Sequence, residues 1–351
     1  MKLRKLLSIA TASVLSAAFL MVGASCNNNN TSGKDENQTI AVIAKGETHA
    51  FWQAVKSGAE AAGKKYGYKI TFAGPTAESE TYIPEQREKL QSALNNKHVK
   101  AVVLATIGQG FADELVTAYD KKIPVVEFDS GLYANRADVT AGKDPTIGKV
   151  ATDNVAAAAL VAENFYKYLK TNNKLTAGKE FKMGVIQHDS SATGIDRAKG
   201  FEDKFKALAQ ADGFTVDIQH QTKTNNDGEY KAAAQSLQAS HVDAIFMSNE
   251  GVVSEVSAEV ADNKAKYENI LFCGFDCGTN QYNWIKNDGN KYPVLVGSVA
   301  QDSYSIGYKA VEMAAKKLAG ETFEKNVGIA GQWYTSANID DLKSKNIFYL
   351  G

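Results

Sequence analysis

From residue 39 onward, short runs of β-branched and other apolar residues alternate with longer segments whose apolar residues recur at helical spacing. Such alternation is typical of βαβ units built on a parallel sheet, and near-continuous apolar runs indicate strands covered by helices on both faces. In the first half the predicted helices cover residues 51–66, 84–95 and 111–121, and the predicted strands are TIAVIA (39–44), YKITFAG (68–74), VKAVVLA (99–105) and IPVVEFDSG (123–131).

The second half repeats this plan. Its predicted strands are FKMGVIQ (181–187), GFTVDIQ (213–219), HVDAIFMSNEG (241–251), ENILFCGFDCG (268–278) and PVLVGSVAQ (293–301). A long helix begins after TDN (152–154), where Thr152 or Asp153 is placed to cap it, and another covers 304–318. The predicted fold is therefore α/β, with two similar doubly wound, Rossmann-like parallel-sheet domains.

The repeated plan also predicts how the chain divides. We expect a first lobe from residues 39–151 plus 302–328 and a second lobe from 152–301 plus 329–351. The two are joined by a hinge of several strands, near Thr152, Gln301 and residues 328–331.

The N-terminus has the layout of a secretory signal. Basic residues precede an apolar run from Leu6 to Val22, and small residues then lead to Cys26. The Gly-Ala-Ser-Cys ending predicts a signal peptide over residues 1–25 and lipid on Cys26, followed by a flexible polar tether over 26–38. A secreted form without lipid and an uncleaved anchor are the alternatives. The protein is expected outside the cytoplasmic membrane and anchored to it.

Charge and composition narrow the choice of partner. Lys plus Arg (39) nearly balances Asp plus Glu (40), and 44% of the residues are hydrophobic. A globular chain without a strong field is not expected to bind nucleic acid or an acidic substrate. A small or neutral partner fits this balance better.

Polar side chains interrupt the apolar pattern where strands end, which is where open parallel sheets bind ligands. Carboxylates and amides can hold adjacent hydroxyls of a polyhydroxylated ligand, and aromatic rings can cover its C–H face. Turn, cap or core roles are the structural alternatives for each residue. The candidates are His49, Phe51, Trp52, Asp129, Asn249 with its neighbour Glu250, Asp276 and Gln301.

Two of the three cysteines flank one of these candidates. Cys273 and Cys277 lie on either side of Asp276, and a disulfide between them requires a sharp turn. We expect separate roles, with Cys273 packed in the strand and Cys277 in the loop, reduced or paired. No histidine lies close enough in sequence to complete a zinc site, so no metal is predicted.

The motifs together resemble the periplasmic sugar-binding proteins of the ribose and galactose type, whose type I fold is shared with the effector-binding core of lactose-repressor-like regulators. The resemblance runs from about Thr39 to the mid-320s, and its markers include TIAVIAKGETHAFWQAVKSG, IPVVEFDSG, TDNVAAA, DRAKGF, AIFMSNEG, CGFDCG and VAQDSYSIGYKAVEMA. It implies a monomeric lipoprotein without a cofactor that binds a pentose or hexose, closes about a hinge and delivers the sugar to an ABC permease in the membrane.

The resemblance also implies roles for individual residues. Phe51 and Trp52 would wall the sugar, while Asp129, Asn249, Asp276 and Gln301 would hold hydroxyls. Arg197 is a further candidate, with a salt bridge on a helix face as its alternative, because ribose-type members carry their ligand arginine where this chain has Ile195. His49 could donate to a hydroxyl or cap a helix, and its presence in place of an asparagine argues against ribose itself.

Other functions fit the sequence less well. Catalysis is not expected, because GQGFAD (108–113) is an incomplete dinucleotide fingerprint and neither an HExxH nor a G-x-S-x-G motif occurs. A repressor would need a helix-turn-helix before the first strand. Binding of a nucleoside or an autoinducer-like furanose, or a sensor role at a membrane receptor, stays open.

Overall fold

The strands of the computed structural model form two six-stranded sheets, in the order β11-β5-β4-β3-β1-β2 and β12-β10-β9-β8-β6-β7. The structure describes residues 38–132, 135–223, 228–287 and 289–344. The strands are β1 (Thr39–Ile43), β2 (Lys69–Ala73), β3 (Val99–Leu104), β4 (Val125–Phe128), β5 (Thr146–Thr152), β6 (Phe181–Gln187), β7 (Val216–Thr222), β8 (Ala244–Met247), β9 (Leu271–Phe275), β10 (Leu295–Ala300), β11 (Asn326–Ile329) and β12 (Gln332–Tyr334).

Helices flank both sheets and separate most of their strands. They are α1 (Ala50–Tyr66), α2 (Ile83–Asn95), α3 (Ala112–Asp120), α4 (Arg136–Val139), α5 (Asn154–Thr171), α6 (Ala192–Ala211), α7 (Glu229–Ala239), α8 (Glu250–Asp262), α9 (Lys264–Tyr267), α10 (Thr279–Lys286), α11 (Ser303–Leu318) and α12 (Ile339–Ser344). Neighbouring strands are parallel throughout the first sheet, and in the second sheet only the pair β10 and β12 is antiparallel. The predicted fold class, two mostly parallel α/β lobes of the type I kind, is confirmed.

The chain passes between the two sheets three times. It leaves the first sheet after β5, returns between β10 and α11, and crosses again between β11 and β12. These are the three places where the hinge is predicted. The exact lobe boundaries given above remain a prediction.

Three strands are not predicted by the apolar pattern, and one predicted strand is displaced. The first four residues of β5 are only partly buried, and β11 and β12 are short, partly exposed edge strands, so none of the three presents a continuous apolar run. The strand predicted at 213–219 is observed at Val216–Thr222, because Gly213 adopts φ +77 in the turn that follows α6. Turn geometry of this kind shifts a strand start without changing the apolar pattern.

Close helix crossings hold each lobe together. A Cβ on Gly307 of α11 would meet the backbone of Val55 in α1, and one on Gly58 of α1 would meet the backbone of Tyr304. In the second lobe a Cβ on Gly200 of α6 would likewise meet the backbone of Val155 in α5. Each helix pair therefore approaches more closely than any larger residue would allow.

Candidate functional site

The carboxyl ends of the two sheets face each other across a cavity of about 220 Å³. Polar and charged side chains predominate in its lining, and all eight ligand-binding candidates predicted from the sequence lie among them. The lining residues are Lys45, His49, Phe51, Trp52, Glu78, Ile107, Asp129, His188, Asp189, Thr193, Arg197, Asn249, Glu250, Gly251, Asp276 and Gln301.

Asp129 and Asp276 occupy equivalent places at the ends of β4 and β9. Both have left-handed backbone conformations, with φ of 57° and 77°, and both are buried. Their backbone N–H groups donate to the carbonyls of Val150 and Val299 on the neighbouring strands, at 3.0 and 2.8 Å. The sharp turn after each strand thus places a carboxylate at the cavity, at a conformational cost that aspartate tolerates better than most residues.

Asp276 is the centre of a buried polar network. Its Oδ1 accepts from Gln301 Nε2 at 2.5 Å, and its Oδ2 accepts from the backbone N–H of Glu250 at 2.9 Å. Gln301 is oriented in turn by Thr152, whose hydroxyl donates to Gln301 Oε1 at 2.6 Å. Since Thr152 ends β5 and Gln301 follows β10, this network joins the site to two of the three chain crossings.

Arg197 lies on α6, beside Asp276, and is almost completely buried. Its Nη1 is 3.7 Å from Asp276 Oδ2 and donates to the carbonyl of Ser248 at 3.0 Å, while its Nε donates to Asn154 Oδ1 at 2.8 Å. The guanidinium also stacks 3.9 Å from the centre of the Phe275 ring. These contacts fix a positive charge at the cavity wall, rather than in a salt bridge on an exposed helix face.

Two charged residues that were not predicted from the sequence, Lys45 and Glu78, lie near Asp129. Lys45 Nζ lies 3.0 Å from Asp129 Oδ2 and 3.9 Å from Glu78 Oε2. Burial alone would lower the pKa of Lys45, but the two carboxylates outweigh it and raise that pKa, so the lysine stays charged. Lys45 follows the first strand, so the rule of polar residues at strand ends applies to it as well.

The aromatic candidates form the wall of the first lobe. Phe51 and Trp52 meet edge to face with ring centres 4.7 Å apart, and Trp52 Nε1 donates to Glu78 Oε1 at 2.5 Å. Trp52 is only 1% exposed and packs against Phe128, so it belongs to the core as well as to the cavity lining. Trp52 therefore has both of the roles expected from the sequence, as a core residue and as part of the cavity wall.

Two candidates cap helices that begin at the cavity. His49 Nδ1 accepts from the backbone N–H of Phe51 at 3.2 Å, and Asn249 Oδ1 accepts from that of Val252 at 2.9 Å. His49 also reaches across the cleft, where its Nε2 lies 2.9 Å from Glu250 Oε2. The capping role considered for His49 is observed, and donation to a ligand hydroxyl stays a prediction.

His188 and Asp189, which follow β6, were also missed by the sequence reasoning. His188 Nδ1 lies 2.8 Å from Ser248 Oγ and its Nε2 is 3.4 Å from Asp189 Oδ1. Burial lowers the pKa of His188 to about 4, despite the opposing effect of Asp189. The imidazole is therefore neutral at pH 7, and can both donate and accept hydrogen bonds.

Cys273 and Cys277 are both buried and are not joined to each other by a disulfide. Burial raises the pKa of the Cys273 thiol, which makes it unreactive packing in β9. Within the described part of the chain, no cluster of three or more metal-ligating side chains is found and no helix is long and apolar enough to cross a membrane. Cys26 and the predicted signal peptide lie outside the described residues.

Two α/β lobes with a polar cavity between their sheet ends define a two-lobe binding protein. Comparison with known proteins agrees: the model of the periplasmic binding protein domain family matches residues 40–322, and the chain belongs to this family. Proteins of the family bind substrates outside the cytoplasm rather than convert them. No curated protein gave a significant match.

Solved structures are similar over most of the chain. A protein of Brachyspira murdochii, described as an ABC transporter, LacI family transcriptional regulator, is 33% identical with a TM-score of 0.77, over 89% of this chain and 98% of that one. An ABC transporter solute-binding protein of Agrobacterium vitis with bound D-fucose is 29% identical, with a TM-score of 0.70, over 89% and 100%. A carbohydrate transporter solute-binding protein of Agrobacterium radiobacter in complex with D-arabinose shares the fold at 23% identity, with a TM-score of 0.71, over 89% and 98%. The family resemblance predicted from the sequence is confirmed.

Proposed function

We propose that this protein is the extracytoplasmic solute-binding component of an ABC importer and binds one monosaccharide in the cavity between its lobes. The observation that carries the proposal is the convergence of Asp129, Asp276, Arg197 and Gln301 from both sheets onto one cavity beside Phe51. Carboxylate, guanidinium and amide groups bind hydroxyls in fixed directions, and an aromatic ring can cover the apolar C–H face of a sugar. The D-fucose bound by the Agrobacterium vitis protein supports this class of ligand.

The size of the cavity agrees with a small ligand. Its volume of about 220 Å³ lies below the range of about 300–1,000 Å³ that is usual for drug-sized molecules. Because the ligand would contact both lobes, it would favour a closed form by its difference in affinity for the closed and open forms. The crossings near Thr152, Gln301 and residues 328–331 are the proposed hinge.

A nucleoside fits the cavity less well than a sugar. A flat base is best held between two aromatic rings, and Phe51 and Trp52 both belong to the first lobe. In the described part of the second lobe, the cavity is lined by no phenylalanine, tyrosine or tryptophan. A furanose or a sensor role would use the same polar groups.

Calorimetric titration of the full chain with a defined panel tests the proposal. The panel contains D-fucose, D-galactose, D-glucose, D-arabinose, D-xylose, D-ribose, adenosine and uridine. We expect micromolar or tighter binding of at least one hexose or pentose and none of the nucleosides. Tight binding of a nucleoside, with no sugar bound, would refute the assignment.

We also propose that the protein acts as a monomer tethered to the membrane through lipid on Cys26. The support is the layout of the first 38 residues, in which a basic and apolar segment precedes Cys26 and a polar run follows it. Metabolic labelling with a fatty-acid analogue should mark the natural chain and not the Cys26→Ser variant. Equal labelling of both would exclude this anchor.

A further inference from the structure

One contact joins the two lobes directly across the mouth of the cavity. His49 precedes α1 in the first lobe and Glu250 begins α8 in the second, and His49 Nε2 lies 2.9 Å from Glu250 Oε2. The histidine side chain is 43% exposed and the glutamate side chain 16%. The pair therefore lies at the edge of the site, between solvent and the cavity.

The imidazole is held in a defined orientation. Because its Nδ1 accepts from the backbone N–H of Phe51, the proton of the neutral ring is on Nε2, which faces Glu250. In this form the ring caps α1 while its Nε2 lies 2.9 Å from the glutamate carboxylate. A short side chain at this position could keep the cap, but would not reach the other lobe.

Glu250 is positioned by its own lobe. Its backbone N–H donates to Asp276 Oδ2 at 2.9 Å, and its carboxylate fills the space beside Gly278 that a Cβ there would occupy. Neither restraint involves the first lobe. The carboxylate is consequently prearranged to receive His49 when the lobes approach.

We infer that the contact between His49 and Glu250 is a latch, which forms when the lobes close and slows the release of the bound sugar. The inference rests on the proposed function, since it requires that the two lobes open and close around a ligand. Neither residue needs to touch the sugar for this effect. They act by holding the closed form together, so they are positioning residues.

The charges around the imidazole give the latch a dependence on pH. Burial would lower the pKa of His49, but the facing carboxylates of Glu250, Glu78 and Asp276 outweigh it and raise that pKa. The protonated ring carries a hydrogen on Nδ1 and can no longer accept from the backbone N–H of Phe51. Opening removes Glu250 from the ring, and the pKa should then return toward about 6.5. The ion pair is thus present in full below the open-form pKa, and is lost as the pH rises through the closed-form pKa.

A double-mutant cycle on the full chain tests the latch. Its variants are His49→Asn, Glu250→Gln and the two combined, and asparagine retains the ability to cap α1. The measurement is the dissociation rate of the tightest-binding sugar of the panel above, by stopped-flow fluorescence at pH 6 and pH 8. Each single variant should speed dissociation at pH 6 by about fivefold, and the double variant should be no faster than the faster single one.

The pH profile separates a latch from a loss of structure. Release from the natural protein should be faster at pH 8 than at pH 6. The two variants without His49 should show nearly the same rate at both pH values, and the difference should be smaller in Glu250→Gln, in which Asp276 still faces the imidazole. Lys199→Ala, which breaks an exposed ion pair with Asp203 within α6, serves as the control. Additive effects in the cycle, or a pH dependence that is undiminished in Glu250→Gln, would overturn the latch. Failure of every sugar to bind would instead refute the proposed function.

Discussion

Replacing Asp276 by asparagine removes one charge from the site while keeping its shape. Asparagine tolerates the left-handed conformation at φ 77°, so the turn after β9 should persist. Its Oδ1 can still accept from the N–H of Glu250, but Gln301 would then face an amide instead of a carboxylate. The substitution therefore tests the charge rather than the fold.

The expected loss of affinity follows from the contacts of Asp276. A hydrogen bond to a charged group contributes about 1.5–3 kcal/mol, so we expect Asp276→Asn to weaken sugar binding by about 2 kcal/mol, or roughly 30-fold. Arg197 keeps its bonds to Asn154 and Ser248, so the free energy of unfolding should fall by only about 1 kcal/mol. Asp276→Ala should lower stability further, because alanine is strained at positive φ.

Calorimetry and urea denaturation of the same preparations measure the two effects. Asp340→Asn is a suitable control, since Asp340 is an exposed partner of Lys286 on the surface. If Asp276→Asn binds the sugar as tightly as the natural protein does, this carboxylate does not hold the ligand. An affinity loss that merely follows a large loss of stability would show that its role is structural.

Three further outcomes are expected. Thr152→Val removes the hydroxyl that orients Gln301 and should weaken sugar binding by about 1 kcal/mol in calorimetry, whereas Thr152→Ser should not. Gly307→Ala forces a Cβ against the backbone of α1 and should cost about 1–3 kcal/mol in urea denaturation, while the same change at Gly328, where there is space, should cost much less. Burial lowers the pKa of His188 to about 4 in the folded protein, whereas the same residue in the unfolded chain binds a proton as the pH falls below about 6.5. The free energy of unfolding should therefore decrease between pH 6.5 and 4. His188→Gln should lose that dependence; an identical pH profile of the variant would contradict it.

Much of this fold could be predicted from the sequence, because strands covered on both faces leave long apolar runs. The strands that escaped prediction are β5, β11 and β12. Of these, β11 and β12 are short strands at sheet edges, whereas β5 lies inside its sheet but has only partly buried residues in its first half. Their pairing depends on contacts with residues far along the chain. A local pattern does not contain that information.

The site was predicted through one geometrical rule, the meeting of carboxyl strand ends, and the rule found residues on both sheets. The same rule covers Lys45 and His188, which also follow strands but were not among the predicted residues. Glu78 lies in a long loop after β2, and nothing in its local sequence indicates that it accepts from the indole of Trp52. The cross-cleft partner of His49 depends on how the two lobes meet, which is a property of the tertiary structure alone.

The left-handed turns at Asp129 and Asp276 restrict how a protein of this design can change its ligand. Few side chains other than glycine, asparagine and aspartate are comfortable in that conformation, so both carboxylates are tied to the backbone that presents them. His49 and Glu78, in contrast, do not have a left-handed backbone conformation, and they contribute side chains to the rim and wall of the cavity. New specificities should therefore arise more readily by exchanging these peripheral residues around a fixed pair of aspartates, and directed evolution libraries for this scaffold are best concentrated there.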